Sequence, residues 1–494
     1  MTSSLAPADP EIRSLPTGIL VGGEWREAAS GQTLPDINPV TEEVLADVAA
    51  GGEADIDAAV RAARAQFDGG EWSRRSGADR GALLLRLADL IERDADRLAR
   101  IQSLENGVPT AIARVSDVAN AVQTLRYFAG WADKISGTVV PTSGFMGRPT
   151  HSYTVREPVG VVGAIIPWNA PLAGAVYKLC PALTVGCTVV LKPAEDALLT
   201  VLHLGTLIEE AGFPPGTVNI VPGLGEVAGA ALVAHPGVDL ISFTGSPDVG
   251  RVIQRSAAET FKRTTLELGG KSPQLVFADA DIPAAVAGTA MGLFANQGQI
   301  CAAATRILVE RPVYEEFVAG LGAAAAGVRL GDPDAADVDM GPLINRSQLH
   351  RVLGYIEVGR MEGARLVAGG GRPEGAGYFV QPTIFADATN DMTIAREEIF
   401  GPVGTVIPFD DEAQAVAIGN DSIFGLTATV WTSDLSRAHR VAGRVRAGQV
   451  WVNAWGAFHP GLPWGGFKQS GVGRELGLSG LHELTEEKVV TVVL

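Results

Sequence analysis

The run VGVVGAII, residues 159–166, is almost wholly apolar, and the chain after it repeats one two-part pattern. A stretch of helical periodicity follows from Leu172. CTVVLKP (187–193) precedes a second helical stretch at 198–211. VNIVP (218–222) precedes AGAALVA (228–234), and VDLISFTG (238–245) precedes SPDVGRVIQRSAAE (246–259). Short apolar strands that alternate with helices predict a parallel sheet covered on both faces. Sheets of this kind bind ligands beyond the carboxyl ends of their strands. A second alternating region spans 273–454, with RILVE, TVIPF, TATVW and QVWVN as its strands. Upstream, DIDAAVRAARAQF (55–67) and the stretch 80–104 carry apolar residues at helical spacing. Residues 148–155 and the terminal KVVTVVL read as extended edge strands suited to pairing with another subunit.

Composition narrows the function. A chain of 494 residues suggests about three domains. The formal charge of −17 and a pI near 4.9 repel a phosphate backbone, so no nucleic-acid partner is expected. The N-terminal MTSSLAPADPEIRSLP has neither the basic nor the apolar segment of a secretory signal. The most membrane-like window, 172–191, contains Lys178, Pro181 and Gly186 and divides into a helix and a strand, so no membrane partner is expected either. Three cysteines, Cys180, Cys187 and Cys301, form no disulfide framework. A reducing cytoplasm is the simplest location. The seven histidines show no metal-ligand spacing, and no metal is expected.

Several residues stand where chemistry is feasible. Cys301, in NQGQICAAAT, has small and polar neighbours, whereas Cys180 and Cys187 lie in apolar stretches and read as core. Glu267, in TLELGGKSP, closes a strand before two glycines; a carboxylate in an apolar setting has a raised pKa and can act as a general base. Asn169, in IIPWNAP, offers an amide N–H to an oxyanion, or is a turn residue. Gly245 and Ser246 precede a helix, where free N–H groups would face an anion; the plainer reading is a Ser cap. Lys192 and Glu195 in KPAE suit ribose hydroxyls, and a carboxylate there favours NAD over NADP; the plainer reading is a solvated turn. Gly223, Gly225 and Gly229 form a glycine-rich turn one residue too long for the dinucleotide fingerprint. His459, in WGAFHPG, leaves open a non-redox cysteine hydrolase or esterase.

Taken in order, IPWN, KPAE, GFPPGTVNIVPG, FTGS, LELGGKSP, NQGQICA, EEIFGPV and PWGGFKQSGVGRELG resemble the NAD-dependent aldehyde dehydrogenase superfamily, in its non-phosphorylating, hydrolytic branch. The likeness covers nearly the whole chain. It implies an α/β fold: a Rossmann-type cofactor domain (6–134 and 158–267), an α/β catalytic domain (268–470) and a small β oligomerisation arm (135–157 and 483–494). It implies Cys301 as nucleophile, Glu267 as base, Asn169 in the oxyanion hole, and Lys178 with Glu475 on a proton-exit route. NAD would be held by Ile166, Pro167, Trp168, Lys192, Pro193, Ala194, Glu195, Gly225, Gly245, Ser246, Leu268, Gly269, Gln348, Glu398 and Phe400. A homotetramer or dimer is implied, with an aldehyde as the small-molecule partner.

The substrate positions depart from the pattern of related enzymes for small aldehydes. Where bulky aromatic or Met side chains often stand, this chain has Ala170, Gly174 and Ala295; Tyr177, Trp455, Phe458 and Trp464 remain as walls. The expectation is a widened apolar tunnel for an aromatic, terpenoid or long-chain aldehyde. Betaine aldehyde or a semialdehyde is the alternative, although Ala170 removes one wall of the cage that a quaternary ammonium wants.

Overall fold

The structure, a computed structural model, describes residues 10–494. Residues 6–9 of the expected cofactor segment therefore lie outside the described residues, as does most of the stretch read for a secretory signal.

Five parallel strands form the centre of an eight-stranded sheet: β1 (Val161–Ile165), β2 (Thr188–Lys192), β3 (Val218–Ile220), β4 (Leu240–Thr244) and β5 (Arg263–Glu267). Their order across the sheet is 5-4-1-2-3. The chain winds outward in one direction through β3, then returns to β1 and continues through β4 and β5. The reversal lies between β1 and β4, which is where a doubly wound sheet opens a crevice. Nearly every residue of β1 to β4 is buried. That accounts for apolar runs without alternation.

Helices cover both faces. Those that bear on the site are α1 (Ala95–Asn106), α2 (Ala119–Ala129), α3 (Pro171–Val185), α4 (Leu199–Ala211) and α5 (Pro247–Ala258). A second, seven-stranded sheet holds Pro273–Val276, Arg306–Glu310, Val403–Phe409, Thr427–Trp431 and Gln449–Val452 in parallel. Each sheet has cores of its own.

Two sequence expectations are corrected. The stretch 80–104 is two helices, Gly77–Arg93 and Ala95–Asn106, separated at Asp94. Asp94 leaves helical geometry, and its carboxylate accepts from Arg93 and His203. Asp competes with the helical backbone in this way wherever polar partners are at hand. The two extended segments are not both edges: Thr150–Pro158 pairs along its length with Thr485–Val493, and Val139–Val140 covers its other side. Only Thr485–Val493 keeps a long free edge in this three-stranded sheet. Among the described residues no helix is long and apolar enough to cross a membrane.

The start of α4 is held by two buried acids. Asp36 accepts from the Leu198 N–H at 3.2 Å, and Glu105 accepts from Leu199 and Thr200 at 2.7 and 3.1 Å. Burial pushes Glu105 up to about 7, and it pushes Asp36 well up as well, helped by the charge of Glu105. The folded state therefore keeps protons that the unfolded chain releases above about pH 4.5. Stability from this pair is full below that pH and is lost as pH rises toward 7. The melting temperature of Glu105→Gln should vary less than that of the parent between pH 5 and 7.5, as roughly a proton of linkage disappears. Parallel pH dependences in thermal melts would contradict this account.

Candidate active site

The carboxyl ends of β1, β4 and β5 open on a cleft of about 930 Å³ that is shared with the second sheet. Register places Ile165 beside Lys192 and Thr244 beside Glu267, so the residues that follow these strands emerge side by side. Cys301, Glu267, Asn169 and Glu475 all line this one cavity. They come from separate parts of the chain, and the fold brings them together.

The convergence depends on two glycines after β5. A Cβ on Gly269 would stand 2.1 Å from Glu398 Oε2, and one on Gly270 would stand 2.4 Å from the Cys301 carbonyl oxygen. Neither contact leaves room for any side chain. Glu398 also accepts from the Gly270 N–H at 2.9 Å. The strand end, the cysteine loop and the Glu398 loop thus meet at one point.

Glu267 is buried, and neither of its carboxylate oxygens has a hydrogen-bond partner among the described residues. Burial raises its pKa well above the carboxylate range, and Glu475 adds to the effect; Lys178 and Arg474 oppose it. Lys178 and Glu475 form a buried ion pair. Ser242 joins it, donating to Glu475 at 3.1 Å and accepting from Lys178 at 3.2 Å. Half-buried Cys301 is pushed up to about 12, first by burial, then by the charges of Glu398 and Glu267. Glu398 itself is pushed up to about 7 by burial.

Asn169 donates one amide N–H to the Gln299 carbonyl at 2.8 Å, which orients the group and leaves its second N–H available. Asn296 completes the arrangement by donating to the Asn169 carbonyl at 2.8 Å. Asn296 and Gln297 adopt left-handed φ of 47° and 58° ahead of Gly298 at 70°. Strain in non-glycine residues is retained where surrounding contacts over-determine it, often beside functional groups. Sequence reasoning passed over Asn296, because nothing in its local pattern marks a second support for Asn169. It also passed over Arg351, which donates to the Glu398 carbonyl at 2.6 Å and holds that loop.

The residues considered for a dinucleotide fall into two groups. Pro167, Trp168, Gly245, Ser246, Leu268, Gly269, Gln348, Glu398 and Phe400 line the cavity. Ile166, Lys192, Pro193, Ala194, Glu195 and Gly225 do not; they follow β1, β2 and β3 toward one side of it. There Lys192 pairs with Glu195 at 3.0 Å, and a Cβ on Gly225 would lie 3.9 Å from Glu195. The expectation of a free N–H at Gly245 fails: that group donates to the Glu267 carbonyl at 3.0 Å, continuing the β4–β5 ladder. The Ser246 hydroxyl caps α5 by accepting from Val249. The helix start remains directed at the cleft, which suits a phosphate. Gln348 acts indirectly, donating to the Phe400 carbonyl at 2.6 Å, and the Phe400 ring stands edge-on to Trp168, 5.2 Å between centroids. An acid–lysine pair to one side of the cleft, a helix start and a second, half-buried acid fit a dinucleotide.

Ala170, Gly174, Tyr177, Ala295, Trp455, Phe458 and Trp464 also line the cavity. A Cβ on Gly174 would meet nothing nearer than Ile166 at 3.9 Å, so no neighbour has filled this position. Trp455 is fixed by donating to the Ala302 carbonyl at 3.0 Å, and Phe458 packs against Trp464 with centroids 5.2 Å apart. Lys178 lies behind the wall, outside the lining. His459 lines the cleft, but its ring faces Tyr127 and its Nδ1 accepts from Gly461; among the described residues no histidine hydrogen-bonds Cys301. A cysteine–histidine pair is therefore not formed. Among the described residues no cluster of His, Cys, Asp or Glu could hold a metal.

Comparison with known proteins agrees with this geometry. A sequence model described as the aldehyde dehydrogenase family matches residues 25–490. Human mitochondrial aldehyde dehydrogenase is 48% identical over 96% of this chain and 91% of its own length. An aldehyde dehydrogenase from Bacillus cereus, solved with NAD+, superposes with a TM-score of 0.96 at 45% identity, covering 99% of each chain. A betaine aldehyde dehydrogenase from Staphylococcus aureus, also with NAD+, gives 0.95 at 38% identity over 98% of this chain and 96% of that one.

The electrostatics can be tested without turnover. Alkylation of Cys301 by iodoacetamide in the cofactor-free protein should still be rising at pH 9.5. Glu398→Gln removes a neighbouring negative charge and should speed alkylation at pH 8.5 by roughly two- to fivefold, a few tenths of a pKa unit. An unchanged or slower rate would refute the charge assignment.

Proposed function

The chain belongs to the aldehyde dehydrogenase family, NAD-dependent enzymes that oxidise aldehydes to acids, and from that premise we propose that its substrate is a bulky, apolar aldehyde. The fold is the α/β fold of that family, with a Rossmann-type NAD-binding domain, a catalytic domain and a small β sheet. The observation that carries the substrate reading is the small wall formed by Ala170, Gly174 and Ala295, where a Cβ on Gly174 would meet nothing nearer than 3.9 Å.

The geometry supports the following roles. Cys301 is the nucleophile: its Sγ attacks the aldehyde carbon and forms a thiohemiacetal. The free N–H of Asn169 stabilises the oxyanion, a donor whose loss typically costs roughly 10²–10³ in rate. NAD, when bound, would supply the acceptor for the hydride that leaves the aldehyde carbon. The resulting thioester on Cys301 is then hydrolysed. Glu267 takes the proton from the attacking water; its unpartnered oxygens suit that task. Having taken that proton it must release it before the next cycle, and the buried pair Lys178–Glu475 beside it offers the way out. Lys192, Glu195 and Gly225 would hold the adenosine end of NAD, the Ser246 turn its pyrophosphate, and Glu398 and Phe400 its nicotinamide end. The Glu195 carboxylate favours NAD over NADP.

The free edge of Thr485–Val493 suits pairing with a second copy, which supports a homo-oligomer. Betaine aldehyde ranks lower. The name of the Staphylococcus aureus neighbour raises it, but Ala170 and Gly174 supply no rings for a cage around a quaternary ammonium.

Cys301→Ala should abolish NADH formation with every aldehyde; retained activity would refute the nucleophile assignment. Glu267→Gln should give a burst of NADH, one per active site, followed by turnover slowed roughly 10²-fold or more. An unchanged steady state would remove Glu267 from its role. In a panel followed by absorbance, benzaldehyde should exceed acetaldehyde in kcat/KM by about tenfold or more. A preference for acetaldehyde would overturn the substrate reading.

A further inference from the structure

One flank of the cavity is polar, and the chemistry above leaves it unused. Tyr177 on α3 and Asn120 on α2 both line the cavity, and both are half-buried. Among the described residues neither the Tyr177 hydroxyl nor the Asn120 amide makes a hydrogen bond. Both polar groups are open to the cavity and free to meet a ligand. Ser116, close by, shows the contrast: its hydroxyl donates to the Ile112 carbonyl at 2.7 Å.

The two helices hold this flank rigidly. They pack together through Thr184, whose hydroxyl donates to Cys180 within α3 and to Phe128 of α2. Asp117 also lines the cavity; one of its oxygens accepts from the Ala173 N–H at the start of α3 at 3.2 Å, and the other has no partner among the described residues. The 455–464 loop, with Phe458 and Trp464, lines the same cavity. That loop is tied to α2 by the His459 ring, 6.0 Å from Tyr127. The cavity thus offers aromatic rings together with two neutral polar groups that have no hydrogen-bond partner among the described residues. Burial, with the charges of Asp117, Cys301 and Glu475, raises the Tyr177 phenol and keeps it a neutral hydroxyl.

We propose that Tyr177 and Asn120 are specificity-determining residues that select, among ring-bearing aldehydes, those carrying a hydroxyl group on the ring. The ring lies against Phe458 and Trp464, with its aldehyde at Cys301. Its hydroxyl reaches the flank, where a phenol and a primary amide both donate and accept, as a hydroxyl does. This inference rests on the widened-pocket reading and adds a chemical group to it.

The test compares 4-hydroxybenzaldehyde with 4-methylbenzaldehyde, which match in size and in the direction of their ring electronics. The full-length enzyme with NAD should show a kcat/KM ratio of roughly ten in favour of the hydroxyl, the worth of one to two partly exposed hydrogen bonds. Tyr177→Phe and Asn120→Leu should each lower that ratio about threefold or more, and the double variant should bring it near one. The ratio is taken within one preparation, so a loss of folded enzyme cancels. A parent ratio near one, or a ratio that neither substitution moves, overturns the flank while benzaldehyde still exceeds acetaldehyde. Acetaldehyde exceeding every ring-bearing aldehyde overturns the wide pocket, and the flank with it.

Discussion

The active site depends on the close approach of two backbone segments and the Glu398 carboxylate at Gly269 and Gly270. The end of β5, the cysteine loop and the Glu398 loop come within contact of each other there, and a single Cβ at either glycine would collide with the Glu398 carboxylate or the Cys301 carbonyl. The approach brings Glu267 and Cys301 into one cavity, although one closes a strand of the first sheet and the other precedes a strand of the second. A larger residue would separate the two sheets at the one place where both supply reacting groups.

That closeness has an electrostatic consequence. Two carboxylates stand around one thiol; burial raises the proton affinity of all three, and the charges of Glu398 and Glu267 add to the effect at Cys301. Lys178 is bound to Glu475 and Ser242 rather than to the thiol. Only part of the support is ionic. Asn169 is oriented through carbonyls by Asn296 and Gln299, and the Glu398 loop is tied by Arg351.

The parallel sheet was readable from VGVVGAII and its successors, because strands buried on both faces need apolar residues throughout and helices between them. The reading failed where a side chain competed locally with the backbone. Asp94 broke a helix whose apolar spacing continues across the break, since spacing does not register a carboxylate drawn to Arg93 and His203. The two extended segments at 148–155 and the C-terminus were readable as strands. That they pair with each other is a contact between residues more than three hundred positions apart, which no local pattern carries.

By itself, the sequence determined which residue types could do chemistry and where strands would end: Cys301 in a small, polar loop, Glu267 before two glycines, and Asn169 after a strand. It determined the small residues at Ala170, Gly174 and Ala295 too. Only the tertiary structure decided what these meant. It occupied the Gly245 N–H in a ladder, left the space beside Gly174 open, and turned Tyr177 and Asn120 from separate helices onto one flank. The physical reason is that propensity and periodicity are properties of neighbours along the chain. Burial, hydrogen-bond satisfaction and the volume left in a cavity are properties of neighbours in space.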